Sequence, residues 1–377
     1  MSAPISHRQL AAAAGVCQST VSLSLRNHPK ISPRVRTHVQ HIAAQLGYRP
    51  NPVVATLMGH IRAAHAPTYQ ATLGFVFTQN RSDAHLCDNT VQHYFRGALS
   101  RAKELGYALE PFWLGAPEMT ETRLAQILVS RGIHGLVLAP IAFNAPERFR
   151  GGQIALPWGE FSAAAIGRTL LAPDLDRACH DNFSAMLLLL SELVRRGYRR
   201  IGFAINHKDD DRVNHLWLAG YLTFMHEHPA SGGVPPLVTH DWRAEIFIAW
   251  FECHRPDAIV TMTYDALLWL RARGFDAPED VGVATVSWLP YKKDYSGNYH
   301  NYELIGAEAV NIVISRLLRN EPGPPANPHA VLMKGSWVEG RSLRPCPDAH
   351  RITDTAWAAH RIFASPIAAC ESTATTN

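Results

Sequence analysis

Side chains whose types and spacing could do chemistry crowd the first 65 residues. Arg8, Arg26, Lys30, Arg34, Arg36, Arg49 and Arg62 stand there without one Asp or Glu. Seven positive charges on this segment, within a chain of net charge +4, leave −3 for the remainder. The chemistry is neutralisation of a polyanion: a small basic head on a slightly acidic body is the electrostatic footprint of a nucleic-acid-binding module. Six histidines in the same segment add charge below about pH 6.5. The head is patterned as helices, unlike an irregular polar tail that merely aids solubility.

Other chemistries find little support. G-x-S-x-G, Walker A, G-x-G-x-x-G and H-E-x-x-H patterns are absent, so no enzyme is expected. Asp209-Asp210-Asp211 could be imagined as a metal cluster, but three adjacent carboxylates more often form a solvated loop. Neither metal nor cofactor is expected. Cys17, Cys87, Cys179, Cys253, Cys346 and Cys370 lack C-x-x-C spacing, which fits reduced thiols. Apolar residues make up 47%, yet no apolar run reaches a membrane span of roughly 18–20 residues. The first 20 residues lack a charged start followed by an apolar stretch, so a cytoplasmic location is expected.

The elements that must position the basic residues begin with two short helical patterns, Ser6 to Ala14 and Gln18 to Arg26. Leu10 and Ala11 mark the inner face of the first, Val21 and Leu25 that of the second. Ser6 and Gln9 have capping-box spacing, with Ile5 and Leu10 at the staple positions. Gly15 supplies the positive φ of a tight helix-to-helix turn. Such a pair is a helix-turn-helix whose second helix enters a DNA major groove. After a turn at Asn27 to Lys30, Ser32-Pro33 starts a third helix. Its stripe of Val35, Val39, Ile42 and Leu46 closes a three-helix core, and Gly47 is expected to end it in the left-handed region. About 45 residues make a marginal domain, to be supported by DNA or a partner copy. Asn51-Pro52 then opens an apolar stretch to Met58, too short for a stable isolated helix. It reads either as a linker or as a hinge that folds against its twin and wedges a leucine into the minor groove.

Three motifs carry a resemblance. Ala13-Ala14-Gly15-Val16-x-x-Ser19-Thr20-Val21-Ser22 with Asn27, then Lys30-Ile31-Ser32-Pro33-x-x-Arg36, then Leu46-Gly47-Tyr48-Arg49-Pro50-Asn51-Pro52 stand in order. Together they resemble the lactose/galactose repressor (LacI/GalR) family. The resemblance implies a homodimeric transcription regulator, a repressor on a palindromic operator. It places base reading on Gln18 and Ser19 and the helix cap on Cys17, where serine is usual. Thr20, Ser22 and Asn27 fall on backbone-contact positions, Leu57 on the wedging leucine and Val54 on the small residue beside it. Ser6, Lys30, Tyr48 and Asn51 complete the expected DNA-binding set. Leu23 stands where many members place a guanine-reading arginine, and can only meet a thymine methyl or pack. The operator therefore cannot be borrowed from relatives.

From Ala71 onward, strand and helix patterns alternate over about 270 residues, which means parallel sheets covered on both faces. Strands are expected at Thr72–Phe77, Gly135–Leu138, Ala163–Ile166, Ile201–Ala204, Ala258–Thr261 and Val281–Val286. The length suggests two α/β lobes with a ligand crevice beyond the carboxyl ends of the strands. Cys179 to Asn182, Arg196 to Phe203, Leu218 to Tyr221, Arg255 to Ala258, Pro278 to Val283 and Asn301 to Gly306 are similar to the family's effector-binding core. The implied fold is that of periplasmic sugar-binding proteins.

Candidate effector contacts are Arg212, His215, Tyr264, Asp265, Ser287 and Trp288. His215 stands nearest the family's clamping arginine, Ser287 replaces its usual aspartate, and Trp288 could stack on a sugar face. Losing both usual ligand holders argues for an unusual effector or none. The expected domains are 1–49 (helix-turn-helix), 50–66 (hinge helix and linker), 67–344 (two-lobed effector and dimerisation body) and 345–377. That last segment lacks leucine heptads and is expected to be largely disordered. The whole reads as a DNA-binding regulator modulated by a small, carbohydrate-like effector. A sugar-binding protein without a DNA role and a regulator without an effector are the alternatives.

Overall fold

Two helices, His7–Ala14 (α1) and Gln18–Leu25 (α2), meet at Gly15, whose φ is +65°. The computed structural model describes residues 7–25, 31–46, 48, 70–81, 90–228 and 233–346. At the turn, Val16 N–H bonds to the Ala11 carbonyl and Gly15 N–H to that of Ala12, a Schellman closure that needs left-handed backbone at Gly15. The third helix, Pro33–Gln45 (α3), starts at Ser32, whose hydroxyl accepts from Val35 N–H at 3.5 Å. Leu10, Ala11, Ala14, Val21, Val39 and Ala43 form the buried head core, with Leu25, Val35 and Ile42 around it. Leu46 departs from the expected stripe: it lies beyond the last turn and is 39% exposed, and Ala43 fills the core instead. Gly47 and the expected Ser6–Gln9 capping box fall wholly or partly outside the described residues.

Among the described residues the body has two six-stranded sheets. In the first lobe the strands are Thr72–Phe77 (β1), Ala108–Trp113 (β2), Gly135–Leu138 (β3), Ser162–Ile166 (β4), Arg177–His180 (β5) and Ala330–Met333 (β11). Their order is β2-β1-β3-β4-β5-β11, all parallel. The second lobe holds Ile201–Asn206 (β6), Leu237–Thr239 (β7), Ala258–Thr261 (β8), Gly282–Thr285 (β9), Ser296–Tyr299 (β10) and Ser336–Val338 (β12). Its order is β7-β6-β8-β9-β10-β12, with only β12 antiparallel.

Helices Thr90–Glu104 (α4) and Glu121–Ser130 (α5) cover the first lobe, together with Tyr302–Arg319 (α11). Asn182–Arg195 (α6), Leu216–Glu227 (α8), Ala244–His254 (α9) and Asp265–Ala272 (α10) cover the second. A short helix, His207–Asp211 (α7), follows β6. Here the structure corrects the expected solvated acidic loop. Asp210 is fully buried, accepting from His215 Nδ1 at 3.0 Å and Leu218 N–H at 3.3 Å, so it serves as an internal anchor for α8. Among the described residues no cluster of His, Cys, Asp and Glu is placed to hold a metal.

The chain crosses between lobes three times, after β5, after β10 and after β11. The crossings are bonded to one another. Asn298 Nδ2 donates to His180 Nε2 at 2.9 Å, and Asn301 Nδ2 donates to the Lys334 carbonyl at 2.9 Å. α4 and α11 touch backbone to backbone at Gly97 and Gly306: a Cβ at Gly306 would lie 2.0 Å from the Tyr94 carbonyl oxygen. That close approach sets Tyr94 and Tyr302 edge to face at 5.4 Å. The far end of α11 is pinned by Arg316, which pairs with buried Asp176 at 2.8 Å ahead of β5.

Candidate nucleic-acid interface and ligand cleft

Cys17, Gln18 and Ser19 open α2 and all three side chains are exposed, with Thr20 half-buried behind them. Val21 is turned inward, so Gln18 and Ser19 leave the head on the side away from its core. The Cys17 thiol lies 3.0 Å from the hydroxyls of Ser19 and Thr20. Those contacts, Ser19 first, lower its pKa from 9.0 to about 7. Leu23 is half-buried and lies outside the head's core cluster. Tyr48 packs against that core, its N–H bonded to the Ala43 carbonyl at 2.9 Å. Ser6, Asn27, Lys30, Asn51, Val54 and Leu57, the Ser22 side chain, and the expected hinge helix at 50–66 all lie outside the described residues.

Between the lobes lies a cleft of about 720 Å³. Strand ends of the first lobe supply Gln79, Phe143, Arg168, Thr169 and His180; those of the second supply Met262, Ser287 and His300. Helix starts supply Tyr94 from α4, Asn182 from α6, Trp217 from α8 and Tyr302 from α11. This is the placement that parallel sheets impose, since loops after the strands and helix N-termini share one end.

His180 and His300 stack in the floor, ring centroids 3.8 Å apart. Burial drives the His180 pKa down to about 3 and that of His300 well below the usual imidazole range, so both rings are neutral. His300 Nε2 donates to the Val286 carbonyl at 2.8 Å, while His180 Nε2 accepts from Asn298. Ser287 and Tyr302 share a hydroxyl–hydroxyl bond of 2.8 Å. Arg212, from the second lobe, donates to the Ile141 carbonyl of the first at 2.8 Å and stacks 4.0 Å over Phe143. It bridges the two lobes.

Of the expected effector contacts, the structure brings Arg212 and Ser287 to the cleft wall. The other four are placed elsewhere. His215 is the left-handed cap of α8 (φ 56°) and is bonded to Asp210. Tyr264 and Trp288 pack with the α9–α10 side of the second lobe, the Trp288 indole N–H donating to the Tyr295 carbonyl at 3.1 Å. Asp265 is exposed at the start of α10. Cleft residues not anticipated include Gln79, Tyr94, Phe143, Arg168, Thr169, Trp217, Met262 and His300, while His180, Asn182 and Tyr302 were anticipated only as parts of segments similar to the family's core. The strand-end rule could have named Gln79 and Arg168, which directly follow two correctly placed strands.

Residues 8–51 match the model described as bacterial regulatory proteins, lacI family, and residues 190–343 match the periplasmic binding protein-like domain. The HTH-type transcriptional regulator MalR of Staphylococcus xylosus is 23% identical over 262 residues, 69% of this chain and 73% of its own length. A solved complex of the transcriptional regulator CelR with cellobiose is similar at 19% identity and a TM-score of 0.54, over 90% of this chain and 99% of that one. The lac repressor dimer bound to operator aligns at 17% identity and a TM-score of 0.50, over 91% of this chain and all of that one.

Proposed function

The chain belongs to the lacI family of bacterial regulatory proteins, and from that premise we propose how it works as a transcription regulator. It represses by binding a palindromic operator as a homodimer. Gln18 and Ser19 read base edges, and Cys17, Thr20, Ser22, Asn27, Lys30 and Tyr48 hold the backbone, with Ser6 and Asn51 beside them. Leu23 meets a thymine methyl, and the 50–66 segment, through Val54 and Leu57, serves as the minor-groove hinge. A small effector in the inter-lobe cleft, of the carbohydrate-like class seen in the CelR complex, shifts the lobes and so the spacing of the paired heads. No catalytic role is assigned, and the protein acts where DNA is, in the cytoplasm.

One observation carries the reading: an acid-free head presents the exposed start of α2, and the same chain holds a two-lobed body with a ligand-sized cleft. A body without a ligand would have little use for that cleft, where buried Gln79 and Asn182 leave oxygens unbonded. The test is selection of bound sequences from a random duplex library by the full chain. A recovered palindrome, bound far more tightly than a scrambled duplex at moderate salt, is the expected result. Equal affinity for both would sink the proposal.

A further inference from the structure

We propose that the cleft is built for an anionic monosaccharide, a hydroxylated sugar ring bearing one carboxylate or phosphate, with the acidic group held at Arg168. The inference rests on the cleft's being the effector site. Among the described residues, its lining contains no Asp or Glu, whereas Arg168 and Arg212 both reach it, one from each lobe. A neutral polyol is ordinarily held by carboxylates that accept from its hydroxyls, and this wall offers none.

Neighbouring carboxylates are already committed: Asp181 caps α6 through Ser184 N–H at 3.1 Å, and Asp210 accepts from His215 and Leu218. α4 opens onto the cleft with no acidic residue in its first turn, so its N-terminal dipole adds positive potential, whereas the start of α8 is already met by Asp210. Arg168 makes no ion pair among the described residues, and its buried Nε has no partner. Arg212 is tied to Ile141 and Phe143, which leaves Arg168 as the cation available to a ligand.

The ring and its hydroxyls follow from three other unbonded atoms. Gln79 Oε1 and Asn182 Oδ1 are acceptors, and the Trp217 indole N–H is a donor; these residues are 1%, 4% and 3% exposed. Two hydroxyl hydrogens and one hydroxyl oxygen on a ligand would satisfy them. Tyr94, Trp217 and Tyr302 provide flat apolar walls for the ring. An aromatic acid would meet the walls and Arg168 but leave the two amide oxygens unbonded.

The experiment is calorimetric titration of the full chain with galacturonate, galactose 6-phosphate and galactose, and with the matching glucose series. At least one acidic sugar is expected to bind about tenfold or more tightly than its neutral parent. Carboxylate and phosphate arms decide which acid it is. Arg168→Gln should erase that preference and Arg168→Lys keep part of it. Asn182→Asp, which adds a carboxylate to the wall, should weaken the acidic sugar more than the neutral one. Ligand-free melting identifies any variant that fails to fold, and the other then carries the test. A neutral parent that binds equally or more tightly overturns the inference, as does no acidic binding by about 10 mM. So does acidic binding indifferent to both substitutions, which would place the anion on the basic head. Operator affinity in the same samples separates the two readings. A neutral sugar that shifts it overturns only the anionic inference, whereas an acidic sugar that binds without shifting it overturns only the effector role.

Discussion

Gly306→Ala sets two opposing effects against each other, and the structure decides the sign. In an exposed helix interior, replacing glycine with alanine stabilises by about 1 kcal/mol, because glycine loses more backbone freedom on folding. At Gly306 the added methyl would sit 2.0 Å from the Tyr94 carbonyl oxygen, 2.8 Å from its carbon and 3.0 Å from its Cα. Every one of these is backbone, so no side chain can swing aside. Ordinary contact begins near 3.4 Å. α4 and α11 must therefore separate by more than an ångström along a seam that buries Ala98, Ala102, Ala309, Val310 and Val313. Overpacking of this kind costs about 1–3 kcal/mol, and opening the seam adds lost burial, so a net loss of about 2 kcal/mol or more is expected.

Urea unfolding followed by hydrogen exchange in α4 and α11 measures it. Gly159→Ala, where nothing lies within 4 Å, is the control and should change stability by less than about 0.5 kcal/mol. The same separation would displace Tyr94 from Tyr302, so ligand affinity should fall alongside stability. A Gly306→Ala protein as stable as the parent, or more so, would refute the close helix crossing and the tyrosine placement drawn from it.

Asp176→Ala leaves the Arg316 guanidinium buried without its carboxylate and should cost about 3–5 kcal/mol, read from the urea midpoint; a loss below about 1 kcal/mol would contradict the pairing. Arg212→Met removes a charge-assisted bond to Ile141 worth about 1.5–3 kcal/mol and the stacking on Phe143. The lobes should open, seen as a larger radius in small-angle scattering, and an unchanged radius would deny the bridge. Cys17, with a thiol pKa of about 7, is thiolate above that pH, so its alkylation rate should rise through pH 7 and level off near pH 8. Ser19→Ala, removing the largest lowering contact, should move that midpoint upward; bound operator should slow the reaction, and indifference to DNA would place α2 away from the groove.

The head was legible because its signals are local. Gly15 at a turn, Ser32-Pro33 at a helix start and a stripe at Val35, Val39 and Ile42 each act within a few residues. The central strands were legible for the same reason, since burial on both faces makes them continuous apolar runs. Strands at the sheet margins were not. β5 reads Arg-Ala-Cys-His and β10 reads Ser-Gly-Asn-Tyr; both owe their extended form to neighbours far away in the chain. β2 carries Pro111, which is tolerated because β2 is an edge strand. Missing β5 and β10 concealed that His180 and His300, at the crossings those strands feed, meet in the cleft. Tyr264 and Trp288 illustrate the converse. Each lies within three residues of a strand end, but the chain there turns toward α9 and α10, which periodicity alone does not reveal.

The central claim is that the exposed start of α2 reads DNA sequence. Affinity of the parent and of Gln18→Ala for the selected palindrome and for a scrambled duplex, at one fixed salt concentration, tests it most directly. A loss of about 1–3 kcal/mol per half-site on the palindrome, with scrambled-duplex affinity unchanged, is the predicted result. Equal losses on both duplexes, or no loss on either, would contradict it.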